Sequence, residues 1–312
     1  MQISPPPYLR AGLRVPRIMS LTLVALMLPT GAAVFFYGYH AILVIVTSLV
    51  TALLTEYLVK KIRGRPFVMD GSAPLIGLLL ALTLPPTIDL WIVAVGAIFA
   101  IAIVKEAFGG LGHYIFSPVM GARVFLEISF VTEMSTWIKP MGFARDIIVA
   151  ESPLSEAFVW SGTRFALYKD MFFGNTPGSL GETSAMLILV GGILLLAYKL
   201  IDWRTPVAFI STVAVLSLAL GEEPIFQVLA GGLMLAAFFI ATDSVTSPIT
   251  HKGRIIFAIG CGVFTVIIRH FGAAQEGVYY SVLLMNSVVP LVDRFVKPRP
   301  LGVRKAAKST DA

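Results

Sequence analysis

Cysteine is almost missing from this chain of 312 residues: Cys261 is the single one. One thiol excludes an internal disulfide and a cysteine-ligated iron–sulfur cluster built from this chain. Histidine is scarce as well, with four. His113 sits in a glycine-rich stretch with no second His, Cys or carboxylate at ligand spacing, so no metal site is expected. The third shortage is charge. Charged residues make up 13% of the chain and hydrophobic ones 57%, against about 25% and about 45–50% in a soluble domain. With a mean hydropathy of +0.85, the apolar excess cannot all hide in one soluble core. An ordinary soluble enzyme, a disordered chain and a nucleic-acid-binding domain are thereby excluded. Recognisable catalytic motifs are absent too. Gly109-Gly110-Leu111-Gly112 is followed by no Gly-Lys-Ser/Thr and matches no phosphate loop. No Ser-His-Asp arrangement and no nicotinamide-binding fingerprint can be placed.

What is present is a series of apolar runs. Crossing a hydrocarbon core of about 30 Å takes about 20 apolar residues. Ten candidate spans follow: 18–37, 41–59, 73–84, 90–104, 118–130, 184–200, 206–220, 225–242, 255–268 and 278–292. The third and fifth are too short to cross as straight helices. The third ends in Pro85-Pro86, and the fifth follows the Gly109–Gly112 stretch and starts at Ser117-Pro118. Such interrupted segments are tolerated at membrane depth where they are buried in protein or line a cavity. The first span lacks a small-residue cleavage site and reads as retained rather than as a signal peptide.

Basic residues set the expected orientation. With the N-terminus placed in the cytoplasm, eighteen Lys and Arg fall on inside segments and five on outside ones, the bias of an inner-membrane protein with both termini cytoplasmic. The expected organisation is a cytoplasmic segment 1–17, one transmembrane domain 18–295 and a basic cytoplasmic tail 296–312, with a long extracytoplasmic loop 131–183. A loop of that length is usually functional. A weak internal echo adds a fold expectation. Gly77–Ala81 resembles Gly232–Ala236, Phe108-Gly109 resembles Phe271-Gly272, and Tyr114–Ser117 resembles Tyr279–Ser281. One copy begins on a span running outward and the other on a span running inward, as in inverted-repeat channels and transporters.

Ionisable residues inside spans are functional candidates, because burying them is expensive. Arg123 and Glu127 stand at i, i+4 in the fifth span and share a helix face. They form either a structural ion pair or a contact to a flavin. Asp243 and Thr246 lie in Ala241-Thr242-Asp243-Ser244-Val245-Thr246-Ser247-Pro248. That segment is either a polar turn at the membrane face or the lining of a cofactor or ion site. These residues leave a channel, a transporter and a membrane-embedded redox subunit all open.

Resemblance narrows the choice. The run Asp70–Pro86, then Phe108-Gly109-Gly110-Leu111-Gly112, Gly121-Ala122-Arg123-Val124-Phe125-Leu126 and the Ala241–Pro248 segment resemble the RnfD family, membrane subunits of the Rnf electron-transport complexes. A related family supplies a membrane subunit of the sodium-pumping NADH:quinone reductase. The likeness implies an all-α, urea-transporter-like fold with inverted repeats and short or broken helices. It also implies a flavin-carrying electron-transfer protein within a complex that couples ferredoxin/NAD electron transfer to sodium or proton translocation, not catalytic alone. Partners would be the integral and peripheral subunits that carry iron–sulfur clusters, flavin and the NAD site, together with a flavin transferase and membrane lipids. The implied cofactor is FMN on a phosphoester bond, with a second, non-covalent flavin as a further expectation. A channel or permease on the same fold is the alternative.

The attachment motif departs from the family pattern. Asp146-Ile147-Ile148-Val149-Ala150-Glu151-Ser152-Pro153-Leu154 keeps the Asp, the spacing and the Pro-Leu tail, but Ser152 stands where a Thr is usual. A Ser hydroxyl forms the same ester. Glu151 adds a negative charge beside the site of an anionic phosphate, which is unfavourable. Thr163, in Ser161-Gly162-Thr163, is the competing attachment point. Ser152 is expected on an accessible loop close to the membrane.

Overall fold

The computed structural model describes residues 15–66, 68–140, 148–155, 162–272 and 276–297. Among these the architecture is helical, with one small hairpin, Trp137–Ile138 (β1) against Val149–Ala150 (β2). Two long apolar helices open the chain, Val15–Tyr37 (α1) and Tyr39–Ile62 (α2), and a third, His251–Phe271 (α12), comes near its end. These three are long and apolar enough to cross a membrane. The chain is a multi-pass membrane protein.

The short segments behave as their sequences dictate. Helix α3 (Ser72–Thr83) stops because Leu84 turns extended ahead of Pro85. The carbonyls freed at its end are not left bare: Leu84 accepts from the Leu180 N–H at 3.1 Å and Leu82 from the Gly181 N–H at 2.6 Å. A returning loop thus supplies the donors that the missing helical turn would have given. Helix α4 (Leu90–Ile98) runs on as a π-helix over Phe99–Glu106. Helix α5 (Pro118–Ser129) begins with Pro in its first turn, where the absent N–H is not needed. The short α6 (Val131–Met134) and α7 (Arg164–Phe173) belong to the long loop. Helices α8 (Ala185–Ala197), α9 (Arg204–Ala219) and α13 (Val278–Phe295) complete the bundle.

One expected span is not continuous. The segment 225–242 divides into α10 (Pro224–Leu229) and α11 (Leu233–Leu235), the latter running on as a π-helix over Ala236–Ile240. The break falls at Ala230, which is extended, and Gly231, whose φ of +66° lies in the left-handed region open chiefly to glycine. Another span is longer than expected. Helix α12 starts at His251 rather than Ile255, because the Thr250 hydroxyl caps it by accepting from the Gly253 N–H at 3.1 Å.

Helices α2, α3 and α4 pack together, as do α9, α12 and α13, while α1 lies on α8. Small residues allow the closest approaches. A Cβ on Gly77 would stand 3.0 Å from Ala52 Cβ, and the Ser48 hydroxyl donates to the Gly77 carbonyl at 2.7 Å. In a membrane, tight packing of this kind substitutes for a hydrophobic driving force between helices.

Candidate functional site

Polar groups concentrate at the two ends of the bundle. At one end, where α2 finishes and α3 begins, the Lys105 ammonium is fully buried and donates to Glu56 Oε1 at 2.6 Å and to Ser72 Oγ at 2.5 Å. Ser72 in turn donates from its hydroxyl and its N–H to Asp70 Oδ1, and Lys60 pairs with Glu56 at 2.9 Å. The same end holds a cavity of about 120 Å³, smaller than the usual small-molecule site of about 300–1,000 Å³. Tyr114, Ser117, Thr242 and Asp243 give its polar wall, with Ile76 and Phe239 among its apolar neighbours. The Tyr114 hydroxyl donates to Asp243 Oδ2 at 3.2 Å, and Thr246 Oγ1 lies 3.4 Å from the same oxygen. Asn286 ties the two halves of the chain together by accepting from the Ser117 N–H and donating to the Thr246 carbonyl.

At the other end, below the long loop, Arg123 is 1% exposed. It pairs with Glu127 at 3.1 Å and Glu276 at 3.4 Å, and its guanidinium lies over the Tyr279 ring. The Tyr279 hydroxyl donates to Glu182 Oε1 at 2.5 Å. Arg269 donates to the carbonyls of Glu276, Gln227 and Ala230 and to the Gln227 side chain. The carbonyls of Gln227 and Ala230 lie at the exposed C-terminal end of the short helix α10, where a cation is favourable.

Beside this network lies a smaller recess of about 10 Å³, room for a single water, lined by Ser152, Thr176, Glu182, Thr183 and Gly231, among others. Ser152 is 6% exposed, which corrects the expectation of an accessible loop hydroxyl. The turn is closed by the Ser155 N–H to the Ser152 carbonyl, and Leu154 packs with Leu167, Met171 and Ala230. That apolar anchor draws Ser152 inward. The residues present fit a phosphate ester at this point. The recess offers three hydroxyls, and the Arg269 Nη2 atom lies 3.0 Å from where a Cβ on Gly231 would stand. Glu182 is also present, but its carboxylate already accepts from Tyr279 and from the Ser179 N–H.

Of the residues singled out in the sequence, Arg123 and Glu127 form an ion pair, and Asp243 lines the cavity while Thr246, buried behind it, hydrogen-bonds its carboxylate. Thr163 is exposed and caps α7, accepting from the Ala166 N–H. It does not join the recess. Asp146 and Ser161 lie outside the described residues. Sequence reasoning misses Glu56, Lys105, Glu182, Arg269, Glu276 and Tyr279 as members of these networks. Glu56 carries a legible signal, since it interrupts the apolar run 41–59. Glu182 and Glu276 sit in connecting segments, where a carboxylate attracts no notice.

Buried ion networks inside a bundle of apolar, broken helices define a class: polytopic membrane proteins that handle charge within the bilayer. The chain belongs to the NQR2, RnfD, RnfE family, which it matches over residues 2–302. It is 43% identical to the D subunit of the proton-translocating ferredoxin:NAD(+) oxidoreductase complex of Clostridium ljungdahlii, over 97% of this chain and 96% of that one. It is 39% identical to the D subunit of the Na(+)-translocating ferredoxin:NAD(+) oxidoreductase complex of Acetobacterium woodii, over 100% and 98%. It is 35% identical to the D subunit of the ion-translocating oxidoreductase complex of Methanosarcina acetivorans, over 96% of each.

Proposed function

We propose that this chain is the membrane-embedded, flavin-carrying member of an Rnf-type complex that couples electron transfer between ferredoxin and NAD to ion translocation. The observation that carries this reading is similarity along the whole length to proteins named as the D subunit of such complexes. The chain lacks the cysteines and the nucleotide fingerprint needed to complete the reaction alone. Iron–sulfur, flavin and NAD-binding subunits are its implied partners. Two relatives differ in the ion their names give, proton in one and sodium in the other, so whole-chain likeness does not select the coupling ion.

FMN would be held through a phosphoester on Ser152. The hydroxyls of Thr176 and Thr183 line the recess beside Ser152, and the Arg269 guanidinium lies next to Gly231 in its wall, so these groups would be the ones to meet the phosphate. When bound, the flavin supplies the redox chemistry, while the protein supplies attachment, orientation and electrostatics. Asp243, held from behind by Thr246, is the polar partner that a second, non-covalent flavin would meet in the larger cavity. Inverted repeats are supported by a matching device in the two halves: Tyr114 donates to Asp243 at one end and Tyr279 to Glu182 at the other.

The natively assembled protein should fluoresce in a denaturing gel under ultraviolet light and carry an FMN-sized mass on the peptide containing Ser152. Ser152→Ala should abolish the fluorescence and leave the protein in the membrane; Ser152→Thr should keep it. Fluorescence that survives Ser152→Ala and disappears with Thr163→Ala moves the attachment to Thr163. A colourless protein that transports solute in liposomes without a redox partner would establish a permease instead.

Orientation is tested separately. The eighteen-to-five basic bias supports a cytoplasmic location for both termini. In a variant lacking Cys261, an impermeant thiol reagent added outside should label a cysteine at position 150 and spare one at 305. The reverse pattern overturns the orientation.

A further inference from the structure

The network below the long loop does not balance. Three carboxylates, Glu127, Glu182 and Glu276, share it with two guanidinium groups, Arg123 and Arg269. With every group charged, one negative charge is left over inside the protein. The hydrogen bonds show where. Arg123 divides itself between Glu127 and Glu276, at 3.1 and 3.4 Å. Arg269 reaches carbonyl oxygens and the Gln227 side chain, and makes no ion pair with a carboxylate among the described residues. Glu182 receives neutral donors, the Tyr279 hydroxyl at 2.5 Å and the Ser179 N–H at 3.3 Å. The Tyr279 hydroxyl is also within reach of Glu276, which is 5% exposed.

The nearest further cation among the described residues, Arg164, is spent on Glu223 at the start of α10. On the neighbouring elements, Glu222 adds another carboxylate, with the His270 ring 2.8 Å away, and Tyr37 and Tyr280 add neutral phenols. Arg123 Nε, moreover, is buried and has no hydrogen-bond acceptor among the described residues. The cluster is therefore short of one acceptor and long by one negative charge. An unpaired buried charge is expensive, and a carboxylate escapes that expense by taking up a proton.

We propose that this cluster binds one exchangeable proton, shared by the Glu182 and Glu276 carboxyls through Tyr279. The proton comes from hydronium in the solvent at the loop end, where Glu127 keeps its side chain 21% exposed; an O–H bond of hydronium breaks and water is left. An O–H bond forms on a carboxylate oxygen, the cluster passes from one net negative charge to neutral, and nothing is oxidised or reduced. A water accepting from Arg123 Nε–H completes the hydrogen bonding. The site does not depend on a flavin at Ser152.

Infrared spectroscopy of the natively assembled protein tests this, with Asp243→Asn and Glu106→Gln as references for buried carboxyls elsewhere in the bundle. The parent should show the C=O stretch of a protonated carboxylic acid, shifted to lower frequency in D2O. That component should disappear in both Glu276→Gln and Glu182→Gln and persist in Asp243→Asn and Glu106→Gln. Because one acid is in excess, the Glu276→Gln and Glu182→Gln variants should both accumulate in the membrane at parental levels, whereas Arg123→Met should not. The proposal is overturned if the parent has no deuterium-sensitive carboxylic band, if the band survives both of these Gln variants, or if both fail to accumulate.

Discussion

The two charged ends of the bundle meet one problem with different arithmetic. Where α2, α3 and the π-helical end of α4 converge, Glu56 and Asp70 face two ammonium groups, Lys60 and Lys105, while the carboxyls of Glu106 and Asp243 at the same end make no ion pair among the described residues. Below the long loop, three carboxylates face two guanidinium groups. The chemistry of the cations differs accordingly. Lys105 acts as a point charge with its donors spent on Glu56 and Ser72. Arg123 uses its planar fork to join two acids from different elements, α5 and the segment before α13. Paired charges hold helices together, and a buried carboxylate without a cation has an occasion to take up a proton.

The largest expected effects come from deleting the two buried cations. Breaking a buried pair by removing one partner typically costs about 3–5 kcal/mol, so Lys105→Met and Arg123→Ala should each sharply reduce accumulation in the membrane. The second substitution separates the two ends. Glu56→Gln added to Lys105→Met should restore most of the loss, because the stranded charge is removed. Glu276→Gln added to Arg123→Ala should restore less, because Glu127 and Glu182 remain. Equal rescue at both ends, read as protein level and unfolding midpoint, would erase the distinction.

Backbone substitutions should act more mildly. Each of two short membrane helices starts beside a glycine in the left-handed region, Gly71 before α3 at φ +82° and Gly231 before α11 at φ +66°. Alanine in that conformation costs roughly 1–2 kcal/mol. Gly231→Ala should lower the unfolding midpoint more than Gly71→Ala. Its Cβ would meet Leu154 Cδ1 at 2.8 Å and Arg269 Nη2 at 3.0 Å, whereas that of Gly71 would meet Met19 Cβ at 3.0 Å. The opposite order would mean that the recess yields more easily than the α3 entry.

The smallest effect concerns acid. Burial opposes the charge on Asp70, but the Ser72 hydroxyl and N–H, with Lys105 and Lys60 nearby, hold its carboxyl below the ordinary carboxylate range. A depressed folded value contributes stability that is fully present above the unfolded pKa of about 3.9. It is lost as pH falls through the folded value. The unfolding midpoint of the parent should therefore decline below about pH 4, and Asp70→Asn should lack that part of the decline.

Legibility in the sequence follows the range of the forces involved. Spans can be located because an apolar run must satisfy every backbone group within itself, and the helices α1, α2 and α13 lie where those runs fall. Chain-local signals also survive: the Pro85-Pro86 stop of α3, the proline start of α5, and the i, i+4 pairing of Arg123 with Glu127. The break between α10 and α11 is not legible, since Gly231-Gly232 inside an apolar run reads as ordinary membrane glycine until its φ is known.

By itself, then, the sequence determined that this is a membrane protein of many short apolar runs, and which family its motifs place it in. Tertiary structure decided who meets whom. Glu276 reaches Arg123 across 153 positions, Tyr279 reaches Glu182 across 97, and Lys105 reaches Glu56 across 49. It also decided that Ser152 turns into a recess while Thr163 stays outside as a helix cap. The physical reason is that hydropathy and helix periodicity act over a few residues, whereas the sign balance of a buried network is a sum over distant segments that exists once the chain has folded.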